Sequence, residues 1–160
     1  MDLKSVCDWI AATATSNFIK DATWVIPTVQ SIHILAIAAL LASMAMLDLR
    51  LAGVIGREQS TRQLARRFLP VLWRALPVLL GTGIVMIAGE PSRELLNRFF
   101  WIKMSTLLVA LLLTIPMQRL VTEARLMDLP RGRRNTLRAI ALLSLLLWMV
   151  IVFCGRWIAY

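Results

Sequence analysis

Residues 22–47 read ATWVIPTVQSIHILAIAALLASMAML, and this stretch decides the fold class of the chain. It holds 26 residues, and its only ionisable side chain is His33. A helix of this length reaches about 39 Å at about 1.5 Å per residue, which exceeds a bilayer hydrocarbon core of about 30 Å. The sequence therefore predicts a first membrane-spanning helix over residues 22–47.

Three further segments of low charge follow, over residues 68–89, 99–120 and 139–155. Hydrophobic residues make up 59% of the 160 residues and charged residues 17%, against roughly 45–50% and about 25% in globular proteins. So much apolar surface excludes a small soluble domain and a disordered chain. Because a backbone in lipid must satisfy its own hydrogen bonds, the predicted fold is an all-α, integral membrane four-helix bundle in one domain, residues 1–160.

The N-terminal segment before the first span has a different pattern. Leu3, Val6, Ile10 and Ala14 recur at helical spacing, with polar residues between them. This pattern predicts a short amphipathic interfacial helix over residues 3–17. A frayed tail is the alternative interpretation.

The basic residues indicate which side of the membrane each loop faces. The net charge is +9, and most of the arginines lie in the first and third loops. The positive-inside rule predicts that these loops are cytoplasmic and that both termini are outside. The basic residues are divided between two loops beside spans and form no patch with interleaved aromatics. We therefore expect the lipid bilayer, and not a nucleic acid, as the partner.

His33 is the only histidine, and it lies 12 residues after Asp21, about 18 Å along the helix. Ionisable groups at such depth usually face the bundle interior, and Gln30 and Ala36 lie on the same helical face. Three roles remain open at this point. His33 is a hydrogen-bonded packing residue, an axial ligand to a haem iron, or part of a proton relay.

Lys103 is the second ionisable residue inside a span, five residues after Arg98. Thr106, Ala110 and Thr114 follow it on one helical face, which indicates that this face packs inward. An inward lysine needs an anionic partner, such as a porphyrin propionate, whereas a snorkelling lysine does not.

The remaining residues of interest are two glycines, the single histidine and two cysteines. Gly81 and Gly83 in the second span leave room for a helix or a flat ligand. With one histidine, inside the membrane, the chain offers no hydrolytic constellation. Cys7 and Cys154 are both predicted near the outer face, and the sequence leaves their pairing open.

Several short motifs resemble an uncharacterised family of small bacterial inner-membrane proteins. That family's pattern is Trp, Pro, Glu and His followed by Asp-Leu-Arg, and Gln30 replaces its usual Glu. The likeness extends over residues 24–113. The matching residues are Trp24 to Pro27, Gln30 to His33, Asp48 to Leu51, Leu64 to Arg67, Asn97, Phe100 and Lys103.

The chain is also distantly similar to the HemJ-type protoporphyrinogen oxidases and the copper-resistance D membrane domain. This resemblance implies a haem b held by a histidine of the first span. We therefore expect haem b in the outer half, lined by Gln30, His33, Lys103, Gly81 and Gly83, with His33 as the iron ligand. The expected function is electron transfer or a redox step on a quinone or porphyrin; whether the chain is an enzyme stays open.

Two other functions remain as alternatives. One is a ligand-free accessory subunit, which packs against a larger membrane complex or forms a homo-oligomer. The other is a copper or small-solute transporter. The expected location is the bacterial inner membrane.

Overall fold

A computed structural model describes residues 2–55, 61–123 and 131–158 of the chain. Within these ranges every regular element is an α-helix. The helices are α1 (Leu3–Ala11), α2 (Ala14–Asp21), α3 (Val25–Ala52), α4 (Thr61–Gly89), α5 (Pro91–Leu95), α6 (Arg98–Glu123) and α7 (Arg131–Ile158).

Four helices are long and apolar enough to cross a membrane, which confirms the prediction of an all-α, four-span membrane protein. The apolar segments are Val25–Ala52, Gln63–Gly89, Arg98–Met117 and Arg134–Ile158. The helices continue beyond the low-charge stretches 22–47, 68–89, 99–120 and 139–155. Arginine is a good helix former, so the basic turns that begin α4 and α7 remain helical although they are too charged to be counted as spans.

The N-terminal segment differs from the single interfacial helix predicted over residues 3–17. It forms two helices, and Thr13 separates them. The Thr13 backbone is extended, and its hydroxyl accepts a hydrogen bond from the Ser16 backbone N–H at 3.3 Å. Threonine is a preferred N-cap residue, so it begins a second helix where apolar spacing alone predicts continuity.

The four long helices form a bundle in which neighbours along the chain pack antiparallel. α3 packs along α4 and α7, and α6 packs along α7. Contact between α4 and α6 is sparse by comparison. We call the end where α3 and α6 finish the Arg-rich end. The opposite end, where α1, α2 and α5 lie, is the rim end.

The buried apolar core consists of two clusters. The cluster nearer the Arg-rich end is formed by Leu47, Leu51, Ala65, Met117 and Ala141. The next cluster is formed by Leu40, Met44, Leu72, Ala75, Ala110, Trp148 and Ile151. Burial of these side chains on both sides of each helix interface holds the bundle together.

Gly89, the last residue of α4, lies where three helices meet at the rim end. A Cβ atom at this position would be 2.7 Å from Ile26 Cδ1 of α3 and 3.0 Å from Ile19 Cγ2 of α2. These distances are too short for an ordinary contact, so the absence of a side chain permits the approach. The exposed Trp9, Trp24, Trp101 and Trp157 belong to the same end of the bundle, as expected for a membrane interface.

Candidate functional site

The bundle is packed unevenly along its length. Every buried residue of α3 lies between Leu40 and Leu51, and none of residues 25–39 is buried. Residues 76–88 of α4 and 101–109 of α6 likewise contain no buried side chain. We call these three segments the open half, and the part around the two apolar clusters the packed half. The inward faces of α3, α4 and α6 are thus less buried toward the rim end, whereas α7 still has the buried Cys154 and Ile158 there.

His33 lies on α3 in the open half, where it is partly buried. Its Nδ1 atom is 2.6 Å from Oγ1 of Thr82 on α4. The Thr82 hydroxyl is in turn 2.7 Å from the Val78 carbonyl oxygen, to which it can donate its one hydrogen. When the Thr82 hydroxyl donates to this carbonyl, His33 Nδ1 is the donor in the contact with Thr82.

That donor role defines one tautomer of the imidazole. A neutral imidazole with its proton on Nδ1 has an unprotonated Nε2, whose lone pair is available to a metal or a proton. Metal-ligating histidines characteristically donate their second ring N–H to another group, which orients the ring. The His33–Thr82 pair therefore has the arrangement of a ligand histidine with its supporting partner.

Of the residues predicted to line the site with His33, Gln30 and Gly83 lie beside it and Gly81 does not. Gln30, one turn before His33 on α3, is partly buried on the same side. A Cβ atom at Gly83 would be 4.0 Å from His33 Cε1, so Gly83 lies directly beside the ring. Gly81 is exposed with nothing within 4 Å of its Cβ position, and its helical offset from Gly83 points it elsewhere.

Lys103 of α6 interacts electrostatically with both His33 and Glu94. It is partly buried, and the inward stripe predicted after it holds, because Ala110 and Thr114 are buried. The anionic neighbour in the structure is thus a carboxylate of the chain itself. Glu94 is 8% exposed because α5 carries it inward from the rim end, a placement that the sequence analysis missed.

The electrostatic setting of Glu94 follows from this burial. Burial raises the pKa of the Glu94 carboxyl above its ordinary value, and the positive charges of Lys103 and Arg93 offset part of the rise. Arg93 also forms a short ion pair with the exposed Glu90 at 2.5 Å. Acidic and basic groups therefore alternate from the rim end toward His33.

Thr82, the partner of His33 on α4, is the site residue that sequence reasoning overlooked. The glycines on either side of it attract attention, whereas a threonine in a span usually returns its hydroxyl to its own helix, as Thr82 also does. The available signal was its position between Gly81 and Gly83, where α3 can approach α4 closely.

The remaining polar chemistry is limited. Cys7 and Cys154 are both free and buried, and Cys7 Sγ is 3.7 Å from the Pro91 carbonyl oxygen. Among the described residues, no group of three or more His, Cys, Asp or Glu side chains is placed to hold a metal ion. A metal at His33 would thus have to bring further ligands with it, as the nitrogens of a porphyrin do.

Fold and site together define a small multi-pass membrane protein with a single supported histidine in an unsealed half of its bundle. The chain belongs to DUF6644, a family of unknown function, whose family model matches residues 5–160. No curated protein and no solved structure matches the chain.

Proposed function

We propose that this protein binds one haem b in the open half and serves electron transfer within the membrane, with His33 Nε2 as the axial ligand. The observation that carries the proposal is the 2.6 Å contact between His33 Nδ1 and Thr82 Oγ1, which leaves Nε2 unprotonated when Nδ1 is the donor. His33 lies on the stretch of α3, residues 25–39, that contains no buried side chain. Imidazole is a common protein ligand of haem iron.

The residues around His33 suit a flat apolar ligand. Gly83 presents no side chain beside the imidazole edge, and α4 and α6 contact each other only sparsely. Bundles hold cofactors between side chains of facing helices. Gln30 and Lys103 supply polar groups in the same half, although Glu94 already gives Lys103 an anionic neighbour. The proposal therefore rests on His33 and Thr82 more than on Lys103.

Each residue has a defined task in this proposal. Thr82 holds the imidazole orientation and strengthens Nε2 as a ligand by accepting the Nδ1 hydrogen. The apolar helix faces exclude water from the site, which influences a redox potential. When bound, haem b would supply one-electron chemistry, and a quinone or a porphyrin would be the class of redox partner.

An absorption spectrum of the purified protein tests this function. After expression with added haem, we expect a Soret band and a b-type difference spectrum on reduction, and His33→Ala should lose both while still inserting. Ser31→Ala is the matched control, because Ser31 is an exposed residue of the same helix that bonds only to its own backbone. A colourless wild-type protein, or an unchanged spectrum in His33→Ala, would reject haem binding and favour an accessory subunit.

We further propose that the Arg-rich end faces the cytoplasm of a bacterial cell and that both termini lie outside. The support is the concentration of arginine in the first and third loops. Reporter fusions at Gly56 and Arg131 should then report the cytoplasm, and a fusion after Tyr160 should report the outside. An outside signal at Arg131 would contradict this orientation.

A further inference from the structure

A layer of polar side chains lies inside the packed half, between the two apolar clusters. Asp48 of α3 follows Met44 of one cluster by one turn and precedes Leu51 of the other. Ser144 of α7 lies between Ala141 and Trp148 in the same way. Both side chains are enclosed, since Asp48 is 1% exposed and Ser144 is 0% exposed.

The polar atoms of this layer have no hydrogen-bond partners among the described residues. The Ser144 side chain faces the Asp48 carboxyl. However, neither carboxyl oxygen of Asp48 nor Ser144 Oγ is in hydrogen-bonding geometry with a described residue. The indole Nε1 of Trp148, one turn along α7 from Ser144, is also buried without a partner. Buried polar groups are rarely left this way without a reason.

A carboxylate ion suits this layer poorly. An ionised carboxyl is an acceptor only and offers about four lone-pair positions, for which the enclosed layer has few donors. Taking that charge out of water without such donors is costly. A protonated carboxyl has a smaller requirement, because it can donate its O–H to a neighbouring hydroxyl such as that of Ser144 and its carbonyl oxygen needs only one hydrogen bond.

The charged groups at the Arg-rich end also favour a proton over a metal cation. Those that the structure describes are Arg50 on α3, Arg66 and Arg67 on α4, and Arg131, Arg134 and Arg138 on α7. None of them is hydrogen-bonded to the Asp48 carboxyl. A Cβ atom at Gly53, which ends α3, would be 3.2 Å from Arg138 Nη2, so a guanidinium group covers this end. Guanidinium groups repel metal cations, and a metal cation would need more oxygen ligands than Asp48 and Ser144 supply.

We propose that Asp48 is a proton-binding site within the membrane, where it is held as a neutral carboxylic acid beside Ser144. Asp48 lies five residues before Gly53, about 7.5 Å along the helix, so the proton exchanges with the Arg-rich side of the membrane. The site is separate from His33 and does not depend on the binding of haem.

Infrared spectroscopy of the full chain tests this proposal. The carbonyl stretch of a carboxylic acid is distinct from the carboxylate bands and moves on exchange into D₂O. Because Glu94 is the other buried carboxyl among the described residues, the measurement starts from the Glu94→Gln protein. We expect an acid band at neutral pH that Asp48→Asn removes and Ser144→Ala moves to higher frequency. Asp21→Asn, at an exposed carboxyl, should leave it unchanged.

The other outcomes overturn the proposal. Absence of an acid band at neutral pH would show that Asp48 is ionised. A band that neither Asp48→Asn nor Ser144→Ala alters would belong to another group. If Asp48→Asn fails to insert, the Ser144→Ala spectrum alone decides whether the band belongs to Asp48. Loss of the band on addition of sodium or potassium at constant pH would assign the layer to a metal cation. Haem content measured in the same samples reports on the His33 site independently.

Discussion

The open half and the packed half use the same four helices in opposite ways. In the packed half, Leu40, Leu72 and Ala110 are at most 2% exposed, and apolar contacts enclose even the polar Asp48. In the open half, His33 and Lys103 are only partly buried, and their polar groups face other polar groups across helix interfaces.

This contrast separates stability from binding within one small bundle. Close packing near the Arg-rich end holds the helices together. The open half therefore contributes less to the buried core of the bundle, and its partly buried polar groups are the ones available to a ligand or a neighbouring surface.

The largest expected effect concerns apolar packing in the two halves. Leu72→Ala, in the packed half, should lower the free energy of unfolding by about 2–5 kcal/mol, because it removes a fully buried side chain. Leu80→Ala, on the same helix but 64% exposed in the open half, should change it by about 0.5 kcal/mol or less. Unfolding in detergent measures both. Equal changes in the free energy of unfolding for the two variants would contradict the division into a packed and an open half.

The next effect is on the ligand that we propose for the open half. Thr82→Val keeps the side-chain shape but removes the acceptor of the His33 Nδ1 hydrogen, so haem affinity should fall by about 10–100-fold. The measurement is a titration of apo-protein with haem. Thr28→Val is the matched control, because Thr28 is exposed on α3 and its hydroxyl bonds only to the Trp24 carbonyl. Equal affinities in the two variants would remove Thr82 from the site.

A smaller effect is expected from the charged pair at the border of the open half. Lys103→Met makes α6 more apolar, yet it leaves the buried Glu94 without its main counter-charge. We expect Lys103→Met to be destabilising, with a coupling energy of about 1 kcal/mol to Glu94→Gln in a double-mutant cycle. Additive effects would indicate that Lys103 extends to the membrane surface and does not interact with Glu94.

The smallest effect is a pH dependence of stability. The pKa of Glu94 is raised in the folded protein above its ordinary value of 4.5, so the folded state binds the proton more tightly than the unfolded state. Its contribution to stability is complete below pH 4.5 and is lost as the pH rises through the folded-state pKa. Thermal unfolding across this range should show a loss that Glu94→Gln lacks. Glu90→Gln, at the exposed carboxyl, should retain it.

Sequence reasoning succeeded where a single residue property decides the outcome. Lack of charge defines the spans because charge is excluded from lipid wherever it occurs in a chain. The same criterion starts the predicted segments of α4 and α7 too late, because Arg67 and Arg138 precede the low-charge stretches but already lie inside the helices.

The candidate site was predictable only in part, because it depends on how helices are rotated against one another. The depth of His33 follows from counting residues, but its partner Thr82 is 49 residues away, and no periodicity links the two. The inward placement of Glu94 could not be predicted, because the five-residue helix α5 that carries it is too short to leave a periodic pattern.

The contact at Gly89 has a consequence for how this protein responds to its lipid environment. Ile19 belongs to a helix beside the spans and Ile26 to a spanning helix, and both depend on the missing side chain at one position. Spanning helices change their tilt when bilayer thickness does not match their apolar length. A change of tilt at α3 or α4 would therefore shift the surface against which Ile19 of α2 packs. We therefore expect the position of α2 on the bundle to depend on bilayer thickness.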